Sequence, residues 1–576
     1  MRKILLTLGL AFTMASSWAA KAWNMPVTVT QPDGTTITVY LHGDEDFSWY
    51  TSADGKILMR NGNTFTPISE TKEEFFAKAA AIRKANAMRR EPVSGSSRQL
   101  FPHTGSPKAL VILAEYPDKR FSLTDPKRSF EQYLNKVDGI QEDFGAYEHR
   151  NAGSVRQYFS DMSNGTFTPQ FDVVGPVTLP QNMEYYGGTN STGSDERVSQ
   201  MIIDACDLVK DDVDFSTYDN NGDGYIDLVY VIYAGYGQSM GAANNTVWAK
   251  ATYVTSGQQY NGKTLYRAGV NNELLGNEYA FNGEKRITGL GLFIHEFSHC
   301  LGLPDFYATR NTSVANDNQG MEDWSVMDNG LYKYNGWIPT AYTAWEREAM
   351  GWLEIDDLDT PQQLKMETVD RGGKAYRIKN NANANDYLII QRIQNRYWNE
   401  RLGDPSQKLD GLLVYHVDYK ESDFSISYNN VNNNVGHPYM AIVPADGLLV
   451  SSYKISNAAE PAEGEYTTAQ YRTQLMGDVY GDATLSGVSH FLQTADIPNS
   501  AWWTEGSNVN IYNIHLTDDG DMYIDFNKEF ATAGINGTTA DKTSNCIYNI
   551  NGTRMHDDIR LLPKGIYIVN GKKVVR

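Results

Sequence analysis

Only three cysteines, Cys206, Cys300 and Cys546, occur among 576 residues, so a disulfide framework is not what stabilises this chain. One pair, Cys206 with Cys300, is open to it; buried free thiols are the simpler reading. Basic charge is also short. Lys and Arg number 50 against 70 Asp and Glu, a net charge of -20, which argues against nucleic acid or an anionic membrane as the main partner. No apolar run is long enough to span a bilayer comfortably. Hydrophobic content of 41% with a mean hydropathy of -0.48 is that of a globular protein without an integral membrane segment.

What is present at the N-terminus is a charged start (Met1, Arg2, Lys3), an apolar run over 4–14 and small residues through Ala22. This is the pattern of a secretory signal. Cleavage is expected after Ala19, Ala20 or Ala22, and the signal is taken as residues 1–20. With no cysteine nearby, a lipoprotein anchor is not expected, and the localisation implied is secreted or cell-surface. The length suggests three or four domains.

Residues 21–105 alternate short strands (27–30, 35–41, 47–51) with DG turns at 33–34 and 54–55, followed by a basic helical stretch over 73–90. They carry no catalytic motif and read as a propeptide, with Asp44, Glu45 or Asp46 as candidates to cap a metal. A cysteine switch is excluded, since 21–105 has no cysteine. The Pro/Ser/Gly connector from Pro92 to Pro107 is the kind of loop proteases cut.

The catalytic chemistry is concentrated in 295–305, HEFSHCLGLPD. The glycine-punctuated apolar run before it predicts a helix that carries His295 and His299 on one face, about 6 Å apart. Two imidazoles so placed can converge on one Zn²⁺. Glu296 is not expected to be a ligand; it can face the open metal position as a general base. Gly302 can end the helix in a left-handed conformation and return the chain, bringing Asp305 in as third ligand. Two neutral imidazoles and a carboxylate leave a fourth position for water, as a catalytic zinc site requires. HExxH alone is short enough to arise by chance; the extension to Gly302 and Asp305 makes coincidence rare.

Upstream, Asp219, Asn221, Asp223, Tyr225 and Asp227 stand at alternate positions with Gly224 at the sixth, the first half of an EF-hand-type calcium loop. Position twelve is Tyr230 rather than Glu, so a bidentate carboxylate would have to come from elsewhere, Asp212 and Asp214 being nearest. A calcium site and a metal-free Asx-turn hairpin are both open. The DDGD at 518–521 reads as a plain turn.

The segments HEFSHCLGLPDFY, WSVM at 324–327 and YDNNGDGYIDLVYVIYAG resemble the immune inhibitor A family of secreted bacterial metallopeptidases, of the metzincin clan. The resemblance covers about 107–355, with weaker echoes at 410–419 and 499–514. It implies His295, His299 and Asp305 as zinc ligands, Glu296 as base and Met327 as a methionine turn beneath the metal. Ser298 and Cys300 depart from the expected glycine and polar residue, without touching a ligand role. The expected class is an α/β (α+β) metzincin-like zinc peptidase domain at 106–355, with strands at 109–115, 226–234 and 246–254 and helices near 127–137, 154–163 and 195–210.

Beyond Trp352 helical periodicity is lost. Strands over 375–378, 387–392, 412–417, 509–515 and 522–526 predict an all-β, sandwich-like accessory domain at 356–527, with His416 structural, and then a linker at 528–545. The last stretch, 546–576, resembles the C-terminal sorting tails of proteins exported by Bacteroidetes, which implies a secretion machinery as partner; a simple hairpin is the alternative. The expected activity is a secreted zinc endopeptidase acting on proteins or peptides, with Tyr332 or Tyr334 as oxyanion donor. The rival is a secreted adhesin or glycan-binding protein on a zincin scaffold. The retained Glu296 opposes it, since a scaffold needs no base.

Overall fold

The computed structural model describes residues 17–89, 100–136, 151–188, 195, 197–309, 320–402, 408–434, 436–455, 465–481, 493–497, 503–504, 509–517, 519–530, 547–549, 564–569 and 572–575. The apolar part of the expected signal, the first part of the connector (92–99), most of the 528–545 linker, Asp518 and Cys546 lie outside them. The chain divides into two compact units, Met1–Lys528 and Glu529–Arg576.

The N-terminal residues begin with a short strand, β1 (Ser17–Ala19). An antiparallel meander follows: β2 (Val27–Thr30), β3 (Thr36–Gly43), β4 (Ser48–Ser52), β5 (Ile57–Asn61) and β6 (Thr64–Pro67). The strand alternation of the sequence produces it, with Val27 and Val29 inward and Thr28 and Thr30 outward. Helix α1 (Lys72–Arg89) packs Phe75 and Phe76 against Phe47 and Trp49.

The central sheet starts with β7 (Lys108–Glu115), whose unbroken apolar run is buried on both faces. Ala109, Val111 and Leu113 enter one core and Leu110, Ile112 and Ala114 the other. After α2 (Pro126–Asn135) and α3 (Val155–Met162) come β8 (Gln170–Thr178), α4 (Met183–Gly187) and α5 (Val198–Val209). Strands β9 (Tyr225–Ile226), β10 (Val229–Tyr236), β11 (Lys250–Tyr253), β12 (Gln259–Tyr260), β13 (Lys263–Leu265) and β14 (Arg267–Leu274) then lead to α6 (Leu290–Leu301). The sheet order is β1-β11-β14-β10-β7-β8. Strands β14, β10, β7 and β8 are parallel, while β11 and β1 run antiparallel at one edge. Helices α2, α3 and α6 cover one face and α5 the other.

Beyond 355 two antiparallel-rich sheets face each other. One contains Asp386–Gln394 and Asp410–Asp418 at its centre, the other Val509–Leu516 and Met522–Phe526. Leu388, Ile390, Leu412 and Val414 meet Ile511, Ile514, Met522 and Ile524 in one apolar cluster. On the opposite face of the first sheet, Ile389, Leu413, Tyr415 and Val417 join the core that contains α6. Helices Glu421–Phe424 and Thr468–Gly477 interrupt the strands, so this region is not purely β. Within Glu529–Arg576, the strands Ile547–Asn549, Ile566–Val569 and Lys572–Val575 form a three-stranded antiparallel sheet.

Candidate metal-dependent active site

Helix α6 is buried along its whole length and reaches the core through its aromatic side. Phe293 stacks on Tyr230 at 4.1 Å, and Phe297 meets Phe159, Phe101 and Phe171 at 5.1, 5.2 and 5.4 Å between ring centroids. Aromatic pairs of this kind contribute about 0.5–1.5 kcal/mol each beyond the area they bury. Its start is equally tight: a Cβ on Gly291 would lie 1.9 Å from Leu331 O, so only glycine fits there. At its end, Gly302 adopts φ +109° and its N–H bonds His299 O, while Leu303 N–H bonds Ser298 O. The chain reverses at that glycine and returns Asp305 to the histidines.

His295 Nε2 and His299 Nε2 lie 3.2 and 3.3 Å from Asp305 Oδ1, all three side chains being buried. A carbonyl can only accept, so the bonds from His295 Nδ1 to Val326 O (2.9 Å) and from His299 Nδ1 to Leu303 O (2.7 Å) put the ring protons on Nδ1. Lone pairs on both Nε2 atoms then converge with the carboxylate oxygen, which is repulsive unless a cation lies between them. His295 Nε2, Asp305 Oδ1 and Glu296 Oε2 have no hydrogen-bond partner although buried. Tetrahedral ligands at zinc distances stand about 3.3–3.6 Å apart, so the residues fit such an ion. It is the one metal-ligating cluster among the described residues. Burial pushes the Glu296 carboxyl up to about 8, against the N–H of Ala20.

The WSVM turn lies directly behind the ligands. Val326 O holds His295, and Phe306 N–H bonds Met327 O at 2.9 Å. Ser325 Oγ accepts from Met327 N–H and donates to Glu346 Oε1, a residue that also caps the helix Ala344–Ala349. Ser298 Oγ bonds Ile294 O and the Tyr342 hydroxyl. Cys206 and Cys300 are buried free thiols. Sequence reasoning missed Asn429: its Oδ1 accepts from Asp305 N–H at 2.7 Å and its Nδ2 donates to Asp305 Oδ2 at 2.6 Å.

What covers the cleft also differs from expectation. Asp44 pairs with Arg83 at 2.8 Å and Glu45 with Lys250 at 3.0 Å, so the candidate caps are engaged by cations. Asp46 does not belong to the metal-ligating cluster either. Instead β1, the end of the stretch assigned to the signal, pairs with the edge strand β11, and the chain continues through the cleft. Ala19 O accepts from the Tyr307 hydroxyl at 2.5 Å, and Ala20 N–H donates to Glu296 Oε1 at 2.8 Å. One peptide bond is thus gripped at both ends. Ala20 O accepts from Trp248 Nε1 at 2.9 Å and Lys21 O from the Tyr332 hydroxyl at 2.5 Å. Tyr307 adjoins the zinc motif in sequence yet carried no role there. Tyr332 reaches the cleft but holds the carbonyl two residues further on. Tyr334 is 36% exposed and packs on Trp337 and beneath Arg401, away from the cluster.

The acidic loop closes on itself. Asp219 Oδ2 pairs with Lys263 Nζ at 2.6 Å and accepts from Gly224 N–H; Asn221 and Asp223 cap the N–H groups of Asp223 and Tyr225. Asp227 accepts from Asn220 and Asn221, Tyr230 is buried in the sheet, and Asp214 caps Ser216. Lys263 thus stands against one of the carboxylates assigned to calcium, and the side-chain to N–H bonds are those of Asx turns.

A buried His-His-Asp cluster beside a glutamate with one unpaired oxygen, at the edge of a mixed sheet, has the make-up of a metal-dependent hydrolase site. Residues 101–354 match the family model described as immune inhibitor A peptidase M6, catalytic domain. Similar proteins are "Immune inhibitor A" of Bacillus thuringiensis subsp. alesti, 26% identical over 294 residues, and "Pre-pro-metalloprotease PrtV" of Vibrio cholerae serotype O1 (strain M66-2), 24% identical over 272 residues. These alignments cover 44% and 42% of this chain and 41% and 29% of those proteins, so the chain matches less than half of either relative's length. The matches support a metalloprotease. Among the described residues no helix is long and apolar enough to cross a membrane.

Proposed function

We propose that the protein is an exported zinc endopeptidase made as a latent precursor. The observation that carries the reading is the Ala19–Ala20 peptide bond, held by its oxygen on Tyr307 and its N–H on Glu296 beside the His295, His299 and Asp305 cluster. Two imidazoles and a carboxylate suit zinc. Bound there, the ion supplies Lewis acidity towards a carbonyl and a water. Glu296 takes the proton of the attacking water on Oε2, its unpaired oxygen, and hands it to the leaving amide nitrogen that Oε1 already touches. Tyr307 donates to the carbonyl oxygen as negative charge develops on it. Strand β11 aligns the substrate backbone by edge pairing.

Once a signal of residues 1–20 is removed, latency of the exported precursor rests on Lys21, Ala22 and Trp23, at 6%, 3% and 3% exposure, with Lys21 O accepting from the Tyr332 hydroxyl. Arg83 of α1 fastens this cover, bonding Thr309 O beyond the third ligand as well as Asp44. The active form is proposed to begin between Arg89 and Lys108 after proteolysis, and residues 546–576 to serve export. A glycan-binding scaffold has no use for a buried carboxylate with an unpaired oxygen. The test is casein or peptide digestion by the processed protein and by Glu296→Ala. The variant should keep about one zinc per chain and lose at least about a hundredfold in rate. Digestion at wild-type rate would refute the assignment of the base.

A further inference from the structure

Past the gripped peptide bond, Lys21 turns its side chain into the protein. Its relative exposure is 6%, unusual for a lysine unless its charge is answered. Lys21 Nζ donates to Ser452 Oγ at 2.8 Å and stands 3.6 Å from Asp328 Oδ1. That oxygen has no hydrogen-bond partner and belongs to a residue 1% exposed, so the carboxylate is aimed at the ammonium. Glu322, also buried, accepts from Ser452 N–H and from the Tyr471 hydroxyl, placing a second carboxylate behind the serine. The Tyr307 ring adds a face 5.8 Å from the ammonium.

The main chain here lies as a peptide under attack would lie. It ladders with β11 before the Ala19–Ala20 bond, meets Tyr307 and Glu296 at that bond, and meets Trp248 and Tyr332 after it. Lys21 is therefore the second residue beyond the position of cleavage. We propose that the cleft carries a subsite for a basic side chain at that position, built from Asp328, Ser452 and Glu322, and that the enzyme selects protein substrates with lysine or arginine there. This rests on the peptidase reading above. An acidic residue would bring a like charge against buried carboxylates, and a neutral one would leave Asp328 Oδ1 without a cation. Selection thus follows from the same groups that hold Lys21.

The experiment compares kcat/KM of the processed enzyme on peptides that differ only at the second residue beyond the cut. Lysine should exceed glutamate by at least about tenfold. In Asp328→Asn that ratio should fall towards one, and a ratio taken within one variant cancels any general loss of activity. Ser452→Ala should move it the same way and serves if Asp328→Asn does not fold. Cleavage by the wild type without preference, or a ratio unchanged in both variants, overturns the subsite. If the wild type cuts no peptide, the peptidase reading fails, and the pocket is then judged by amide exchange in the full uncut chain. Lys21→Glu should expose the backbone of residues 17–22 to exchange at least about tenfold faster; equal protection in both chains overturns the pocket.

Discussion

Replacing Tyr307 by phenylalanine removes one oxygen atom from the cleft. The ring stays, and at 3% exposure it is packed on all sides, so no cavity or repacking accompanies the change. Lost is the hydroxyl that lies 2.5 Å from Ala19 O, the carbonyl whose peptide nitrogen touches Glu296. A donor at that point gains strength as the oxygen becomes negative, and removing one such donor costs about 2.7–4 kcal/mol, or roughly 10²–10³ in kcat. KM should change little, because the bond is made chiefly in the transition state. Tyr332→Phe is the informative companion. Its hydroxyl holds the Lys21 carbonyl, which does not react, so its loss should raise KM with kcat nearly kept. Steady-state kinetics on one peptide, with zinc content and thermal midpoint measured on the same samples, decides the matter. The reasoning is refuted if Tyr307→Phe, folded and zinc-loaded, keeps kcat within about threefold of the wild type, or if the two variants exchange phenotypes.

Asn429→Ala, which frees one oxygen and the N–H of Asp305, should weaken zinc binding about 10–100-fold in a competition titration, while the fold melts within a few degrees of the wild type. His42 is held down to about 4, by burial first and by the Lys21 charge second. Its folded value is below its unfolded one, so its contribution is complete above pH 6.5 and is lost as pH falls towards 4. The loss amounts to about 3 kcal/mol, read as a falling urea midpoint of the uncut chain that His42→Gln should flatten. Millimolar calcium, against chelator with zinc held constant, should leave the thermal midpoint of the wild type unchanged, because Lys263 already neutralises Asp219; a clear rise would establish a calcium site in the loop.

Local patterns were legible in the sequence. HEFSHCLGLPD specifies a helix, its glycine terminator and a returning carboxylate within eleven residues, and short-range geometry is enough to bring such groups together. Strand β7 declares itself by an apolar run. Strand β14 did not, since Asn271, Asn272 and Glu273 are polar yet nearly inaccessible: Asn272 bonds Leu274 O and Thr288, and Glu273 collects the N–H groups of Ser122, Leu123 and Gly235. Buried polar residues satisfied by partners far along the chain leave no periodic trace. The same holds for Lys263, which meets Asp219 from another strand. Residues 17–20 followed the small-residue pattern of a signal's end, and their pairing depends on β11, more than two hundred positions away. An alternation of acidic residues identifies a turn; it does not identify the cation that the turn meets.

Asn429 reaches the Asp305 carboxylate from 124 positions downstream, and Asn432 beside it ties Phe306 O to Met440 O. The stretch that matches the peptidase family ends at 354, so the boundary of ancestry and the boundary of the working centre do not coincide. Residues that look like an appendage hold the Asp305 carboxylate in place. Exchange of the β-rich half for another module would therefore remove the hold on Asp305 together with the module.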